Sequence, residues 1–573
     1  MEVSNGIMLT DEMERREVDR TRMELRENDL RSVCSRCLRR ARNLIPIGYK
    51  QEVVQLFKIA VPVCTSQLAG YSTYFISTVF CGHLGRTELA GVALANAVNN
   101  IAGVSIGYGL SSACDTLISQ TFGSGNLKRV GVILQRAILI SLLTCLLCWT
   151  ALLNSEYILM AFREDPEVIR VAQMYVKIFI IGLPAIFLVQ LQVKYLQNQG
   201  IVWPLCITDI FALIISALSN YIFLYVLNLG VAGSAAANVI SQYSLATMIF
   251  LYIQWKGLHK DTWGGWSKDC LQEWGAYMCL AIPSLVMVCL EWWTYEIGEF
   301  LAGLINEVEL GTQSIVYELA TMAYMFPGGF GVAASVRVGT ALGSGDTEQA
   351  KLSAQMSMAC AVSVSLVIAV VFGTTKDIIT YIFSSDEHLR KRVSEVMVIY
   401  APLHLIDATA AAAGCTVRAL GKQKIGAICN VFGYYGLGLP IGASLMFAAK
   451  QGVMGLWTGL FVGVLVQTVI IVVYLIKLNW KKATQEALVR AGVHVSITDT
   501  DMSQEVPSEN TSTSLPYTEN EILSDTVDHG AVTTVGEPLS NKDLALRRGM
   551  TLGVILIIFT AGVITHVLLT IKE

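Results

Sequence analysis

The chain has 573 residues, of which 53% are hydrophobic and only 15% charged, with a mean hydropathy of +0.54; a globular domain runs nearer about 45–50% apolar and about 25% charged. That balance excludes a water-soluble globular fold and describes an integral membrane protein. The formal charge of −4 is small and no basic tract with interleaved aromatics occurs, so no nucleic-acid partner is expected, and the fourteen scattered cysteines set up no disulfide framework.

Residues 1–50 form a charged N-terminal segment with arginines from Arg15 and Arg16 to Arg40 and Arg42. The segment lacks an apolar core, so no cleavable signal peptide is expected and the first membrane helix directs insertion. Cys34 and Cys37 have zinc-like spacing, but no second Cys or His pair follows within reach, and no metal or other cofactor is expected.

A hydrocarbon layer needs a helix of roughly 20 apolar residues. The first six such runs lie at about 55–80, 89–112, 130–153, 173–193, 205–227 and 231–254. Pro62 in the first suggests a kink, and Asp209 in the fifth is an acid with no assigned role. Gly123-Ser124-Gly125 looks like a phosphate loop only superficially, because no Lys-Ser or Lys-Thr follows; a tight turn is expected. The same holds for Gly343-Ser344-Gly345 in the second half.

Six more runs follow at about 276–304, 309–335, 355–375, 394–414, 426–448 and 453–477. The seventh contains VCLEWWTYEIGEFLAGL, which places Glu291, Glu296 and Glu299 inside a membrane helix. One charge at the bilayer centre costs about 2.5–3.5 kcal/mol on insertion scales, so such acids face an aqueous cavity or a bundle interior and mark ion pathways. Glu291 falls midway along the helix, with Glu296 and Glu299 nearer the outer mouth. Glu318 on the eighth helix lies at comparable depth, as do His404 and Asp407 on the tenth, three apart and therefore on one face. An acid enclosed in an apolar cavity holds its charge only against a counter-ion, so it carries either a proton or a cationic substrate. Trp292, Tyr317 and Tyr324 are candidate aromatic contacts for such a cation; Trp293 and Tyr295 cannot share the cavity face of Glu291 and are expected to be lipid- or core-facing. Pro283 repeats the position of Pro62, and Arg337 at the end of the eighth helix is expected to make a structural pair with a loop acid or a helix C-terminus.

Residues 479–547 are rich in Ser, Thr, Asp and Glu and are expected to be a disordered cytoplasmic linker; the sequon at Asn510 is treated as chance. A thirteenth apolar run at about 549–570 closes the chain.

The chain repeats itself. Ile59–Pro62 superpose on Leu280–Pro283 and Glu88–Ala90 on Glu309–Gly311 at a shift of 221, FGSGN at Phe122 on LGSGD at Leu342 at 220, and Lys194 with Gln199 on Arg418 with Gln423 at 224. The expected fold is therefore an all-α polytopic membrane protein of two six-helix lobes, 51–258 and 259–478, related by a pseudo-two-fold axis along the membrane normal, with an appended thirteenth helix at 548–573. Lys128, Arg129, Lys194, Lys256, Lys260, Lys351, Lys422 and Lys424 fall in loops on one side; the other side is poorer in base or mixes it with acid, as at Arg163-Glu164-Asp165. The N-terminus is thus expected in the cytoplasm, and an odd helix count puts the C-terminus outside.

LSSACDTLISQTFGSGN (from Leu110), VKYLQNQG (from Val193), CLEWWTYE (from Cys289) and AASVRVGTALGSGD (from Ala333) resemble the multidrug and toxin extrusion (MATE) family, in its vertebrate thirteen-helix branch, over about residues 50–480 and the last helix. The resemblance implies a V of two lobes and a proton/organic cation antiporter, exporting cationic drugs, toxins and metabolites by alternating access, in the plasma membrane and at its apical surface. Relatives carry Glu where this chain has Asp407, and VRVGN where it has Val336–Thr340. The coupling set read from the sequence is Glu291, Glu318, Asp407, Glu296 and His404. A monomer is expected to suffice. The alternatives are a lipid-linked substrate flippase, which would need a basic cavity, or a cation uniporter; no HExxH, GxSxG or paired intramembrane Asp motif supports an enzyme.

Overall fold

A computed structural model describes residues 48–161, 166–383, 386–493 and 533–572. The chain divides into two units, residues 1–54 and 55–573; the described part of the first is the opening of a helix, and all packing described below belongs to the second. The expectations for the N-terminal arginines, Cys34, Cys37, Arg163–Asp165 and Asn510 lie outside the described residues.

Among the described residues thirteen helices are long and apolar enough to cross a membrane. Twelve run consecutively: α1 Tyr49–Gly82, α2 Thr87–Gly123, α3 Leu127–Leu153, α4 Pro166–Gln197, α5 Trp203–Val226, α6 Gly230–Trp255, α7 Trp274–Gly303, α8 Glu307–Gly343, α9 Thr347–Ile382, α10 Glu387–Ala419, α11 Gln423–Ala448 and α12 Val453–Lys477. A shorter helix, α13 (Trp480–Ala491), follows, and α14 (Asn541–Lys572) holds the thirteenth span. The architecture is all-α: two six-helix lobes, α1–α6 and α7–α12, about a pseudo-two-fold axis along the membrane normal, with α14 appended.

Helices satisfy every backbone group internally, which hydrocarbon demands, and their side chains sort by face. On α5, Ile207, Ile210, Phe211, Ile214 and Leu218 point outward while Asp209, Ala212, Ser216 and Asn220 are buried. Within the lobes small residues set the approach. Gly455, Gly459 and Gly463 on α12 leave no room for a Cβ, because α11 backbone at Leu445–Met446, Gly438–Gly442 and Gly433–Gly438 lies against them.

The repeat is written in the backbone. Gly125 and Gly345 take φ +78° and +84° in matching turns. Gly200 and Gly421 take φ +76° and +74°, each inside the same helix-ending bond, Ile201 N–H to Leu196 O and Lys422 N–H to Val417 O, both 3.0 Å. Asn228 and Lys450 share φ 51° and 54°. The glycine pair at 200 and 421 corrects the shift of 224 assigned to Lys194 and Arg418. The offset there is 221, so Lys194 corresponds to Cys415 and Gln197 to Arg418; two cations near the same helix end had been matched by type.

The offset between copies changes within two helix pairs. It is 221 where α2 and α8 begin, with Leu89 bonded to Gly85 and Leu310 to Asn306, and 220 where they end, with Ser124 bonded to Gln120 and Ser344 to Thr340. A π-turn holds one residue more than an α-turn, and α2 has one at Asn100–Val104, where α8 runs as α-helix throughout. Likewise the offset grows from 221 to 222 between α5 and α11, and α11 has a π-segment at Val431–Gly438 that α5 lacks. Both share a later one, Ile222–Val226 and Ser444–Ala448.

The end of the bundle holding the turns at Gly125, Gly200, Gly345 and Gly421 is the inner end, the one expected in the cytoplasm. There α2 crosses α8 reciprocally: a Cβ on Gly123 would strike the Thr340 backbone, and one on Gly343 the Gln120 backbone, as a two-fold axis through the crossing requires. Thr116 Oγ1 donates to Arg418 O (2.6 Å) and Gln120 Nε2 to Ala419 O (2.7 Å), which ties the lobes at this end.

The expected linker begins later than residue 479. Asn479 caps α13 by accepting from Lys482 N–H (3.1 Å), and α13 buries Ala483, Thr484, Ala487 and Ala491. It bonds to both lobes, through Lys422–Glu486 (2.6 Å) and Arg490 to Leu420 O (3.0 Å) on one side and Asn126 to Ala491 O (3.3 Å) on the other. Thr533, Val535 and Leu539 are also fixed, to Arg129, Glu273 and Gln272. Residues 494–532 lie outside the described residues.

Candidate functional site

Helix α7 lies between the lobes and presents different residues to each. Positions four apart share a face, and toward α2 it turns Cys289 and Trp293, both against Ser105 Oγ at 3.8 and 3.4 Å. Trp292 and Glu296 follow on the same side. Trp292 lies 5.4 Å from the Tyr108 ring, and Glu296 Oε1 accepts from Asn100 Nδ2 at 2.9 Å. Toward the other lobe it turns Glu291 and Tyr295.

Glu291 faces the Tyr324 hydroxyl of α8 and is within electrostatic reach of Arg418 and Asp407 of α10. Tyr434, carried on the π-segment of α11, interacts with Glu291, Asp407 and Tyr324. Glu291, Asp407, Tyr324 and Arg418 each keep part of their surface open although they sit within the bundle, so they line a space between helices. Two carboxyls, one guanidinium and three phenols thus converge from α7, α8, α10 and α11. The aromatic wall continues through Tyr295, stacked on Tyr317 with centroids 5.3 Å apart and 6.0 Å from the Trp457 ring. Tyr295 was expected away from Glu291, yet a step of four residues along a helix turns only about 40° and keeps it on that side.

Other predicted residues are placed elsewhere. Glu318 has no ionised group near it among the described residues, and its Oε2 is enclosed without a hydrogen-bond partner. His404 is 0% exposed, bonds Tyr400 Oη through Nδ1 at 3.2 Å and belongs to the packed core around Trp457, while Asp407 opens toward the cavity. Glu299 accepts from Ser314 Oγ. Asp209, in the other lobe, is buried and accepts from Ser66 Oγ of α1. Arg337 lines an inner-end cleft of about 530 Å³ with Lys58, Gln199 and Trp203.

Beneath the cavity lies an ion pair that sequence reasoning missed. Lys194 Nζ bonds Asp115 Oδ2 at 2.8 Å, Asn198 donates to Oδ1 at 3.2 Å, and the ammonium sits 5.0 Å from the Tyr108 ring. Lys194 and Arg129, both counted as loop cations, are buried in ion pairs, Arg129 with Glu273 at 3.0 Å. Their positions at helix ends resemble surface positions in sequence, and their partners are distant along the chain. Among the described residues no three His, Cys, Asp or Glu side chains could hold a metal ion.

The MatE family model matches the chain twice, at residues 62–222 and 283–443, the same 221-residue offset that the backbone shows. The chain is 55% identical over 552 residues to multidrug and toxin extrusion protein 1 of Danio rerio, covering 94% of each. It is 48% identical over 553 residues to the protein of that name from Homo sapiens, covering 93% of this chain and 95% of that one. Among solved structures it resembles the eukaryotic MATE transporter AtDTX14, with a TM-score of 0.75 and 28% identity over 78% of this chain and 100% of that one.

Proposed function

The chain belongs to the multidrug and toxin extrusion family, a family of membrane transporters rather than enzymes, and from that premise we propose that it exchanges external protons for organic cations held at Glu291 and Asp407. The observation that carries this reading is that Glu291 lies within electrostatic reach of Asp407 on one side and of Arg418 on the other, in a tyrosine-lined space. With Asp115 and Lys194 neutralising each other below, the site lacks one positive charge. A proton or a monovalent cation supplies it, and like charges facing one another favour taking up either. Tyr324 and Tyr295 offer π faces to the cationic substrate but gain little from a proton. Competition for one vacancy, with the cavity open to one side at a time, gives antiport.

The inner end then faces the cytoplasm and the C-terminus the outside, in the plasma membrane and at the apical surface. The direct test is uptake of a fluorescent organic cation into proteoliposomes under both signs of pH gradient. The expected result is accumulation in vesicles acidified inside and none in the reverse gradient. Uptake that ignores the gradient overturns the exchange reading and leaves a uniporter or a flippase.

A further inference from the structure

The two lobes share one backbone, yet one polar bridge from α2 to α7, that of Asn100 with Glu296, breaks their symmetry. Its C-lobe counterpart would join α8 to α1, where Thr321 matches Asn100 and Phe75 matches Glu296 at the local offset of 221. Thr321 Oγ1 instead bonds its own helix at Tyr317 O (2.9 Å), and Phe75 is exposed. Asn100 is also the first residue of the π-turn that accommodates the extra residue of α2. Its neighbour Asn99 is 2% exposed, with both side-chain polar atoms enclosed and unpartnered. A buried amide without partners is costly, so the turn holds α2 in an arrangement that its own side chains do not favour.

We propose that Asn100 is a positioning residue for transport, aimed by the π-turn at Glu296 so that the bond between them ties the N-lobe to α7 when Glu296 is charged and loosens when it is neutral. The inference rests on the proton-exchange reading above. Hydrogen bonds to an ionised acceptor are about twice as strong as neutral ones, and the Asn100 amide N–H donates to Glu296 Oε1 at 2.9 Å. The other titratable groups facing Glu296 are Glu299 on its own helix and Tyr317 on α8. No cation among the described residues competes with Asn100 for the carboxylate. A proton arriving from outside at Glu296 therefore weakens a contact between lobes, which is how protonation at this acid would reach the opening and closing of the bundle.

The test uses the full chain in proteoliposomes, measuring initial cation transport against proton concentration for wild type, Asn100→Leu, Glu296→Gln and the double variant. Leu keeps the branched shape of Asn without its polar atoms and suits a membrane helix; Asn100→Gln keeps a donor. We expect Asn100→Leu to shift the half-maximal proton concentration by about three- to tenfold with the KM for the cation within about twofold, Asn100→Gln to restore it, and Asn100→Leu to add nothing once Glu296 is Gln. An unchanged proton dependence in Asn100→Leu, or the same shift in the Glu296→Gln background, overturns the proposal. Deleting Ala102, which removes the extra residue, should reproduce the Asn100→Leu phenotype; wild-type behaviour in that deletion also overturns it. A wild type that ignores the pH gradient is a different failure, that of antiport itself.

Discussion

The N-lobe and the C-lobe are alike in backbone and unlike in chemistry. At the local offset Glu291 corresponds to Gly70, Asp407 to Ile186 and His404 to Leu183. The acids that meet in the C-lobe thus face no counterpart; of the buried acids of the N-lobe, Asp115 is paired with Lys194 and Asp209 is held by Ser66 on another helix pair. Duplication supplied two halves of one backbone, and the exchange chemistry proposed above falls to one of them. Where the halves cross, at α2 and α8, the symmetry is kept; where Glu291 and Asp407 face one another, it is abandoned.

The largest effect should separate the lobes outright. Glu291→Gln, nearly isosteric and unable to ionise, removes one of the two negative charges at the cavity and should lower exchange by at least about tenfold at equal surface expression. Asp209→Asn should keep transport within about twofold, because its one described hydrogen bond lies within the N-lobe. Equal losses in initial uptake by both variants would mean that the N-lobe carries a coupling acid too.

Asp407 sharpens the same contrast. Asp407→Asn leaves Glu291 and Arg418 as a self-neutralising pair, with no vacancy for a cation, and should impair uptake several-fold. Asp407→Glu keeps the charge on an arm one methylene longer and should be tolerated or mildly improved. Equal activity of all three proteins reduces Asp407 to a structural role.

How far the sequence carried depends on which property each feature rests on. Span count follows from run length, and the thirteen helices were legible because each run meets the membrane thickness by itself. The acids were legible by their cost in hydrocarbon. Arg418 and Tyr434 were not, because their part in the site comes from α10 and α11 turning them toward a helix more than a hundred residues away. Helix α13 was hidden for another reason: it buries alanines and a threonine rather than large apolar residues, and such a face reads as linker. The π-turn at Asn100 had a faint signal, the drift of the repeat from 221 to 220, which acquires meaning once α2 is seen to be a single span.

The position of α13 sets what a truncation should do. Removing residues 494–573 takes away the span α14 but leaves α13 bonded to both lobes, and transport should stay above about half of wild type. Removing everything from Trp480 also breaks the Lys422–Glu486 and Asn126–Ala491 contacts and should cost more. If the two truncations transport equally well at equal surface level, α13 has no part in holding the lobes.

The smallest effect expected is that of voltage, and its smallness is informative. If one carboxylate vacancy accepts either one proton or one monovalent cation, the site crosses with the same charge in both directions, and the exchange is electroneutral. Membrane potential acts on a net charge with roughly 2.3 kcal/mol per 100 mV, whereas a pH gradient of one unit supplies about 1.4 kcal/mol for each proton. Arg418, Asp115 and Lys194 do not alter this balance so long as they move with the lobes and exchange nothing. Clamping the potential with valinomycin and potassium while varying pH separately should therefore leave the initial uptake of a monovalent cation nearly flat against voltage and steep against pH. A rate that follows voltage alone removes the proton from the cycle. A rate that follows both would require a second proton, and Glu318, whose enclosed Oε2 has no partner, is the acid placed to take it.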